Sequence, residues 1–176
     1  MKTPQKQYLN SRVVKTNVGF LLSAISGTYQ DSRMEIPSPV KLDDDLIVNA
    51  IHGTLRLTRS KEGILVQAQL TINVDNECSR CADTVVQDVD IEIEELFANA
   101  DTTISEFSVG ADANLDLAPL LRAETLIAMS QRILCRDDCK GLCATCGANR
   151  NYETCNCDQD VIDPRFAALK NLLARD

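Results

Sequence analysis

The residues with the most distinctive chemistry are eight cysteines, six of which fall within residues 135–157. This stretch contains a CxxC pair and, after a short loop, a CxC pair: Cys143, Cys146, Cys155 and Cys157. Two close pairs separated by a loop are typical of tetrahedral zinc bound by four thiolates, with Zn–S distances of about 2.3 Å. Gly147 follows the first pair, at a position where the chain often turns with a positive φ. These residues predict a zinc site.

The other four cysteines form a second candidate set. They are an upstream CSRC pair and the first two cysteines of the stretch: Cys78, Cys81, Cys135 and Cys139. A metal ion bound by these four would join the middle of the chain to the start of the cysteine-rich stretch. We therefore predict one zinc site at the first set and a second zinc site at this one.

Other uses of the cysteines were compared with zinc binding. Disulfides fit poorly, because CxC and CxxC neighbours rarely reach the Cα separation of about 4.4–6.8 Å that an unstrained bridge needs. Cys139, Cys143 and Cys146 have the CxxxCxxC spacing of radical SAM enzymes, but only a short tail follows, where such enzymes need most of a barrel. A rubredoxin-type iron site and a thiol redox role for the CxxC pairs remain alternatives.

Catalytic groups other than cysteine are few. His52 is the only histidine, and neither a carboxylate nor a cysteine is its neighbour in the sequence. A serine or cysteine nucleophile would therefore have one candidate base in an unpromising place. The sequence also contains no glycine-rich phosphate loop.

Net charge restricts the partners. The formal net charge of -8 and the pI of about 4.7 oppose non-specific nucleic-acid binding through bulk charge. Four basic residues nevertheless surround the cysteines: Arg132, Arg136, Lys140 and Arg150. They either face a phosphate backbone or offset the negative charge of a four-thiolate zinc centre. No apolar run approaches the roughly 18 residues of a membrane span, and the reduced thiols indicate the cytosol.

Three strands are predicted between residues 46 and 97, where apolar and polar residues alternate strictly. The buried side of the first strand is expected to carry Ile47, Ile51, Leu55 and Leu57. That of the second is expected to carry Ile64, Val66, Ala68, Leu70, Ile72 and Val74, and that of the third Val85, Val89, Ile91 and Ile93. On the third strand four carboxylates should face water: Asp88, Asp90, Glu92 and Glu94. The pattern indicates an antiparallel meander with one wet face.

The connections of this meander also have sequence signals. Residues 60–63, Ser-Lys-Glu-Gly, are predicted to join the first two strands as a hairpin, and Gly53 to mark a β-bulge. The CSRC pair lies between the second and third strands, so a metal ion there would clamp the end of the second hairpin.

Helices are predicted on either side of these strands. Asn17 is expected to cap a helix over residues 18–26, with Phe20, Leu21, Leu22 and Ile25 on its apolar side, and a strand should follow at residues 28–36. A second helix should begin at Asp116, with Pro119 in its first turn. One apolar side carries Leu117, Leu120, Leu121, Ile127 and Leu134, and another Leu126, Met129 and Ile133. Two apolar sides predict a helix sandwiched between other elements.

The predicted fold class is α+β: an antiparallel β-meander or partly closed barrel with a few helices and a C-terminal cysteine-rich zinc knuckle. Residues 1–134 are expected to form the sheet core with an N-terminal segment and a linking helix. Residues 135–176 are expected to form the metal-binding segment, packed on the core. This segment should end in a helix that starts at Asp163 and Pro164.

Several ordered motifs together resemble the YceD family of bacteria and plastids, the large ribosomal RNA subunit accumulation proteins. They are CSRC at 78–81, DLAPLLR at 116–122, CKGLCATCGAN at 139–149, CNC at 155–157 and DPRFAAL at 163–169. The hairpin adds LRLTR at 55–59 and GILV at 63–66. The segment 129–133 departs from the family, since a proline is expected there.

The resemblance implies a non-enzymatic role in accumulation or processing of 23S ribosomal RNA during assembly of the large ribosomal subunit. It also implies that the motif cysteines are metal ligands and that no residue is catalytic. The expected partner is the large-subunit precursor, contacted through 23S rRNA or a basic ribosomal protein. The charge of -8 favours the protein. No small-molecule substrate is expected.

Overall fold

The structure is a computed structural model that describes residues 8–99, 105–129 and 132–157. The chain divides into two compact units. The sheet unit comprises residues 1–76 and 84–131, and the cysteine unit comprises residues 77–83 and 132–176. The loop with the CSRC pair therefore belongs to the cysteine unit.

Eight strands lie within the described residues. They are β1 (Leu9–Asn10), β2 (Lys15–Asn17), β3 (Tyr29–Ile36), β4 (Val40–Asp43), β5 (Leu46–Arg59), β6 (Gly63–Glu77), β7 (Thr84–Ala98) and β8 (Asn114–Asp116). Six of these form one sheet in the order β1-β4-β5-β6-β7, with β3 also paired to β5, and β2 pairs with β8 separately. The pairs of β5 with β3, β4 and β6 are antiparallel, whereas β1 and β4 run parallel. The α+β fold class is confirmed, and the sheet is open rather than closed into a barrel.

The predicted meander corresponds to β5, β6 and β7, and β5 pairs with more strands than expected. Residues 46–48 of β5 pair with β4, and residues 51–58 pair with β3 along the same edge. One strand therefore supports two successive neighbours. The sheet therefore has six strands, whereas the predicted meander had three.

The buried face of β5 changes at a β-bulge between Val48 and Ala50. An extra residue at a bulge shifts the alternation by one, so Val48 lies on the buried side before it and Ile51 after it. The prediction that Ile47 is buried was wrong, since its side chain is 41% exposed. Gly53 does not mark the bulge; it pairs in regular register with Leu70.

The second and third strands follow the predicted alternation. The apolar residues predicted for β6 are all buried, as are Val89, Ile91 and Ile93 of β7. Ser60 closes the hairpin turn, because its backbone N–H donates to the Gly63 carbonyl at 2.9 Å and its hydroxyl accepts from the Gly63 N–H at 3.1 Å. The connection of β6 to β7 contains the CSRC pair, as predicted.

The first helix, α1, is shorter than predicted and spans Gly19–Ser23. Its N-cap residue is Val18, and Asn17 accepts a hydrogen bond from the Gly19 N–H at 3.1 Å. Leu21 is fully buried, but Phe20 is 74% exposed and Ile25, beyond the helix, is 83% exposed. The predicted apolar side of four residues is therefore wrong.

The second helix, α2, spans Ala118–Ala128, and the carboxylate of Asp116 accepts from the Ala118 N–H at 3.1 Å. It ends before Ile133 and Leu134, and Ile127 is 78% exposed. Only one side is buried, so the predicted sandwich was wrong. Within the described residues neither helix is long and apolar enough to cross a membrane. The helix predicted from Asp163 lies outside the described residues.

An ion pair joins α2 to the turn after β4. Arg122 Nε donates to Asp45 at 2.7 Å, and this bond lowers the pKa of the Asp45 carboxyl. A lowered folded-state pKa stabilises the fold above the unfolded-state value of about 3.9 and stops doing so as the pH falls through the folded-state value. We therefore expect Arg122→Met to lower the melting temperature slightly at pH 7.

This loss should shrink as the pH falls below about 4, because Asp45 then binds a proton in the unfolded chain, and it should vanish once the pH falls through the lowered folded-state pKa of the parent. Thermal unfolding of the two proteins between pH 7 and pH 3 measures the difference. A difference that stays constant over this range would show that the ion pair contributes nothing and that only the packing of the Arg122 side chain matters.

Candidate metal centres

We call the cluster of Cys78, Cys81, Cys135 and Cys139 the first centre and the cluster of Cys143, Cys146, Cys155 and Cys157 the second centre. The first centre is built by two short turns of the cysteine unit. In the loop between β6 and β7, the Cys78 N–H donates to the Asp83 carbonyl and the Ala82 N–H to the Cys78 carbonyl, both at 2.9 Å. Ala82 has a φ of 58°, in the left-handed region. The turn brings Cys78 and Cys81 to the same side. The other pair, Cys135 and Cys139, comes from a second turn in which the Cys139 N–H donates to the Arg136 carbonyl at 3.1 Å.

The sulfur geometry of this first centre suits a tetrahedral ion. All four Sγ atoms lie within 4.8 Å of one another. Sγ of Cys78 is 3.8 Å from that of Cys139, and Sγ of Cys81 is 3.5 Å from that of Cys135. A tetrahedron with Zn–S bonds of about 2.3 Å has edges of about 3.8 Å. These pairs are far beyond the disulfide bond length of about 2.05 Å, and all eight cysteines are free thiols.

The second centre is a knuckle closed by backbone hydrogen bonds. The Gly147 N–H donates to the Cys143 carbonyl at 2.8 Å, and the Cys143 N–H donates to the Ala148 carbonyl at 2.8 Å. Gly147 has the predicted positive φ, 75°. Cys155 and Cys157 return to this knuckle, and all four Sγ atoms again lie within 4.8 Å of one another. Cys143 is buried, whereas Cys146 is exposed.

The structure thus brings all eight predicted ligands together in the two predicted sets. It also separates the cysteines of the CxxxCxxC spacing, since Cys139 belongs to the first centre and Cys143 and Cys146 to the second. The radical SAM arrangement is therefore not formed. Metal ligation itself remains a prediction, which the sulfur positions fit.

Each centre contains at least one thiol whose pKa is lowered. In the first centre the hydrogen bond from Asn151 lowers the pKa of Cys139, and Cys78 is shifted in the same direction. Burial raises the pKa of Cys78, but N–H groups of Arg80, Cys135 and Cys81 donate to its sulfur, and the pKa is lowered to about 6. The N–H groups of Cys146 and Thr145 act in the same way and lower the pKa of Cys143 to about 6. Backbone donors that favour a thiolate are what a sulfur ligand needs, since a metal ion binds the deprotonated form.

Other thiols of the two centres, such as Cys81 and Cys157, have raised pKa values. Burial raises the pKa of Cys81, and its hydrogen bonds to Asp83 and Cys78 add to the rise. Hydrogen bonding to Cys146 and burial raise the pKa of Cys157 to about 12. A second negative sulfur in the same small volume is unfavourable unless a cation offsets the charge. Each centre therefore has the electrostatics of a cation site.

Residues that are not ligands support both centres, and the sequence did not predict them. Asp83 accepts hydrogen bonds from the Cys81 thiol at 3.2 Å, from Asn149 at 3.1 Å and from the Tyr152 hydroxyl at 3.0 Å. The bond from Cys81 is the main cause that lowers the pKa of Asp83, against the effect of burial. Asn151 donates to Sγ of Cys139 at 3.3 Å. The one available signal was the position of Asp83, two residues after Cys81.

The basic residues near the cysteines have mixed roles. Arg136 forms an ion pair with Asp138 at 3.4 Å. Lys140 and Arg150 line a hollow of about 160 Å³ together with Glu153. Arg80, which the sequence did not single out, donates to the Cys139 carbonyl at 3.0 Å. Arg136 and Arg80 thus contact groups close to the first centre.

His52 lies on β5 and does have a carboxylate neighbour in the structure. Its Nδ1 is 3.7 Å from Glu35 on the adjacent strand β3, and both side chains are exposed. The sequence did not show this neighbour, because the two residues meet only through strand pairing.

An open, mostly antiparallel sheet unit and a unit with two four-cysteine clusters define an α+β class of protein in which each cluster could hold a metal ion through sulfur. The chain belongs to the YceD family. The sequence model described as "Large ribosomal RNA subunit accumulation protein YceD" matches residues 66–173. This range includes β7, α2 and all eight cysteines. The resemblance found in the sequence is confirmed, and it connects the protein in general terms with the ribosome.

Similar proteins occur in mycobacteria. Uncharacterized protein ML1660 of Mycobacterium leprae (strain TN) is 32% identical over 151 residues, which are 80% of this chain and 69% of that protein. Uncharacterized protein Rv2926c of Mycobacterium tuberculosis (strain ATCC 25618 / H37Rv) is 33% identical over 125 residues, 68% of this chain and 60% of that protein. The chain thus spans part of the length of these relatives. No solved structure matches it.

Proposed function

We propose that the protein is a non-enzymatic factor in 23S rRNA accumulation and large-subunit assembly, that it works in the cytoplasm, and that it binds a basic ribosomal protein of the precursor particle. The observation that carries the ribosomal role is the family match over residues 66–173. The net charge of -8 and the distribution of carboxylates on the sheet support the choice of a basic protein.

In this proposal zinc has a structural role. Each centre offers four sulfurs and hence a complete tetrahedral shell, which is characteristic of structural rather than catalytic zinc. When bound, the ion supplies a fixed crosslink between short turns that bury few apolar side chains. The ligands would be Cys78, Cys81, Cys135 and Cys139 in the first centre and Cys143, Cys146, Cys155 and Cys157 in the second.

The proposed docking surface is the open face of β7, where the four predicted carboxylates alternate with buried residues. Same-face neighbours on a strand are about 6.7 Å apart, so Asp88, Asp90, Glu92 and Glu94 form a regular row. We call this the β7 acidic row. Asp90 accepts from Thr71 at 2.7 Å and Asp88 from Asn73 at 2.6 Å, both neutral donors on β6. Among the described residues no ion pair neutralises the row.

A groove is lined in part by Glu92 and Glu94 of the β7 acidic row. It has a volume of about 920 Å³ and crosses four strands, from Arg33 and Arg56 on the β3 side to Glu92 and Glu94 on the β7 side. Arg56 is occupied, since it pairs with Asp31 at 2.6 Å and lies over the Tyr29 ring at 4.8 Å. At the acidic end Glu92 and Glu94 form no ion pair among the described residues, and their charge attracts lysine and arginine.

The proposed contact is tested with a variant in which three carboxylates of the β7 acidic row are replaced by neutral amides. We expect Asp90→Asn/Glu92→Gln/Glu94→Gln to weaken binding to the basic proteins extracted from purified large subunits on the order of tenfold, because three exposed charge pairs contribute about 0.2–1 kcal/mol each. Binding should also lose part of its salt dependence. Pull-down over a salt series and co-sedimentation with large-subunit precursors on sucrose gradients measure both effects.

The control variant removes the same charge elsewhere, as Glu62→Gln/Glu106→Gln/Asp137→Asn. These are exposed residues outside the β7 acidic row, and the variant should bind like the parent. Tight binding of the parent to protein-free 23S rRNA with a steep salt slope would overturn the protein contact in favour of RNA. Failure of the parent to co-sediment with precursors would oppose the ribosomal role.

A further inference from the structure

The two centres of the cysteine unit are connected through the loop that closes the second one. Residues 147–154 join the pair Cys143 and Cys146 to the pair Cys155 and Cys157, so the conformation of this segment decides whether four sulfurs can meet. Several side chains of this loop donate hydrogen bonds to groups of the first centre, although the loop itself belongs to the second centre. We call residues 147–152 the bridging loop.

Three side chains of the bridging loop make these contacts. Asn149 donates to Oδ1 of Asp83 at 3.1 Å, and the Tyr152 hydroxyl donates to Oδ2 of Asp83 at 3.0 Å. Asp83 is two residues from the ligand Cys81 and accepts from its thiol at 3.2 Å. Asn151 donates to Sγ of the ligand Cys139 at 3.3 Å. The bridging loop is therefore positioned by one ligand of the first centre and by the carboxylate beside another.

Backbone hydrogen bonds strengthen the same connection. The Leu142 N–H donates to the Arg80 carbonyl, inside the CSRC loop, at 2.9 Å, and Leu142 forms an isolated bridge with Asn149. The Arg150 N–H donates to the Gly141 carbonyl at 3.0 Å. The chain immediately before Cys143 is thus held by the loop that carries Cys78 and Cys81. The chain before Cys143 and the loop after Cys146 are therefore both positioned by groups of the first centre.

We infer that the two centres load metal cooperatively, with Asp83, Asn149, Asn151 and Tyr152 as the positioning residues that couple them. An ion in the first centre fixes the Cys81 to Asp83 turn and Cys139. These in turn hold the bridging loop in the conformation that the second ion needs. Coupling between binding sites is reciprocal, so the second ion also favours the first. Loss of such outer contacts typically costs 10- to 100-fold in metal affinity.

The inference rests on metal binding at both centres, as proposed above, and not on the ribosomal role. Removal of the first centre by Cys78→Ser/Cys139→Ser should weaken zinc binding at the second centre about tenfold. The dissociation constant is measured on the full-length chain by competition with a chromophoric chelator. In an Asn149→Ala/Asn151→Ala/Tyr152→Phe background, the same removal should cause no further loss, because the coupling contacts are already absent.

A control variant in the same part of the chain, Glu153→Gln/Thr154→Ala, changes two exposed residues and should keep the tenfold effect. The coupling is wrong if removal of the first centre leaves the zinc affinity of the second centre unchanged. It is also wrong if this removal lowers the affinity equally in the parent and in the variant that lacks the three side chains. A parent chain that binds no zinc would instead contradict the proposed metal sites.

A second measurement does not require the serine variant to fold. Native mass spectrometry of the full chain with less than one equivalent of zinc counts chains with no ion, one ion and two ions. Cooperative loading keeps the one-ion form scarce in the parent, and the form should increase in the variant that lacks the three bridging-loop side chains. An equal share of the one-ion form in both proteins would overturn the inference.

Discussion

Replacement of Cys146 by serine is expected to lower the metal content of the purified chain from two ions to one. Three sulfurs and a weakly basic hydroxyl do not form the closed shell of structural zinc. At such sites the metal-binding free energy, on the order of 10–16 kcal/mol in small zinc domains, is also folding free energy. Residues 143–157 should therefore lose their structure and become sensitive to protease. Elemental mass spectrometry and limited proteolysis measure the two effects.

The matched control is Thr145→Ser, which changes an exposed side chain between the two cysteines of the same CxxC pair. It should retain both ions and the proteolysis pattern of the parent. The ligand assignment fails if the Cys146→Ser variant keeps its metal and its resistance to protease. A coloured parent protein that contains iron would support the rubredoxin-type alternative instead of zinc.

The second large effect is expected at Gly53, in the middle of β5. Its φ is +148°, and a Cβ placed on it would lie 2.1 Å from the Gln69 carbonyl oxygen and 2.9 Å from Leu70 Cα. These are backbone atoms of the paired strand β6 and cannot move without breaking the register. We therefore expect Gly53→Ala to destabilise the sheet unit by about 3 kcal/mol or more.

Gly27→Ala is the control, because Gly27 also has a positive φ, +95°, but a Cβ there meets no atom within 4 Å. It carries the conformational cost alone, about 1–2 kcal/mol. Urea unfolding followed by far-ultraviolet circular dichroism at a fixed zinc concentration compares the two variants. Equal losses would show that φ, and not the approach of β6, is what requires glycine at position 53.

Features of this structure that depend on residues close together in the chain were predicted well. Features that depend on residues far apart in the chain were not. The alternation in β6 predicted its buried face because each strand residue points to the side opposite its neighbours. In β5 the same reasoning placed Ile47 on the wrong side, because the bulge between Val48 and Ala50 inserts a residue into the pattern. Such an insertion is set by pairing with β6 and has no clear signal within β5 itself.

Helix limits show the same division. The start of α2 was predicted nearly correctly, since first-turn preferences depend on neighbouring residues, and Pro119 does lie in the first turn. The N-cap residue is Leu117 rather than the predicted Asp116, although Asp116 accepts from the Ala118 N–H. The end of α2 at Ala128 was missed, because apolar residues continue at helical spacing to Leu134. The chain leaves the helix before those residues, and they belong to the cysteine unit.

By itself the sequence determined the α+β class, the hairpin of β5 and β6, the family and the division of the cysteines into two sets of four. Short spacing places each close pair at one site whatever the rest of the chain does. Tertiary structure alone decided that β3 and β4 share one edge of β5, and that Asp83 meets Asn149 and Tyr152, 66 and 69 residues away. Contacts between distant residues depend on how complete elements pack, and local spacing contains no information about that packing.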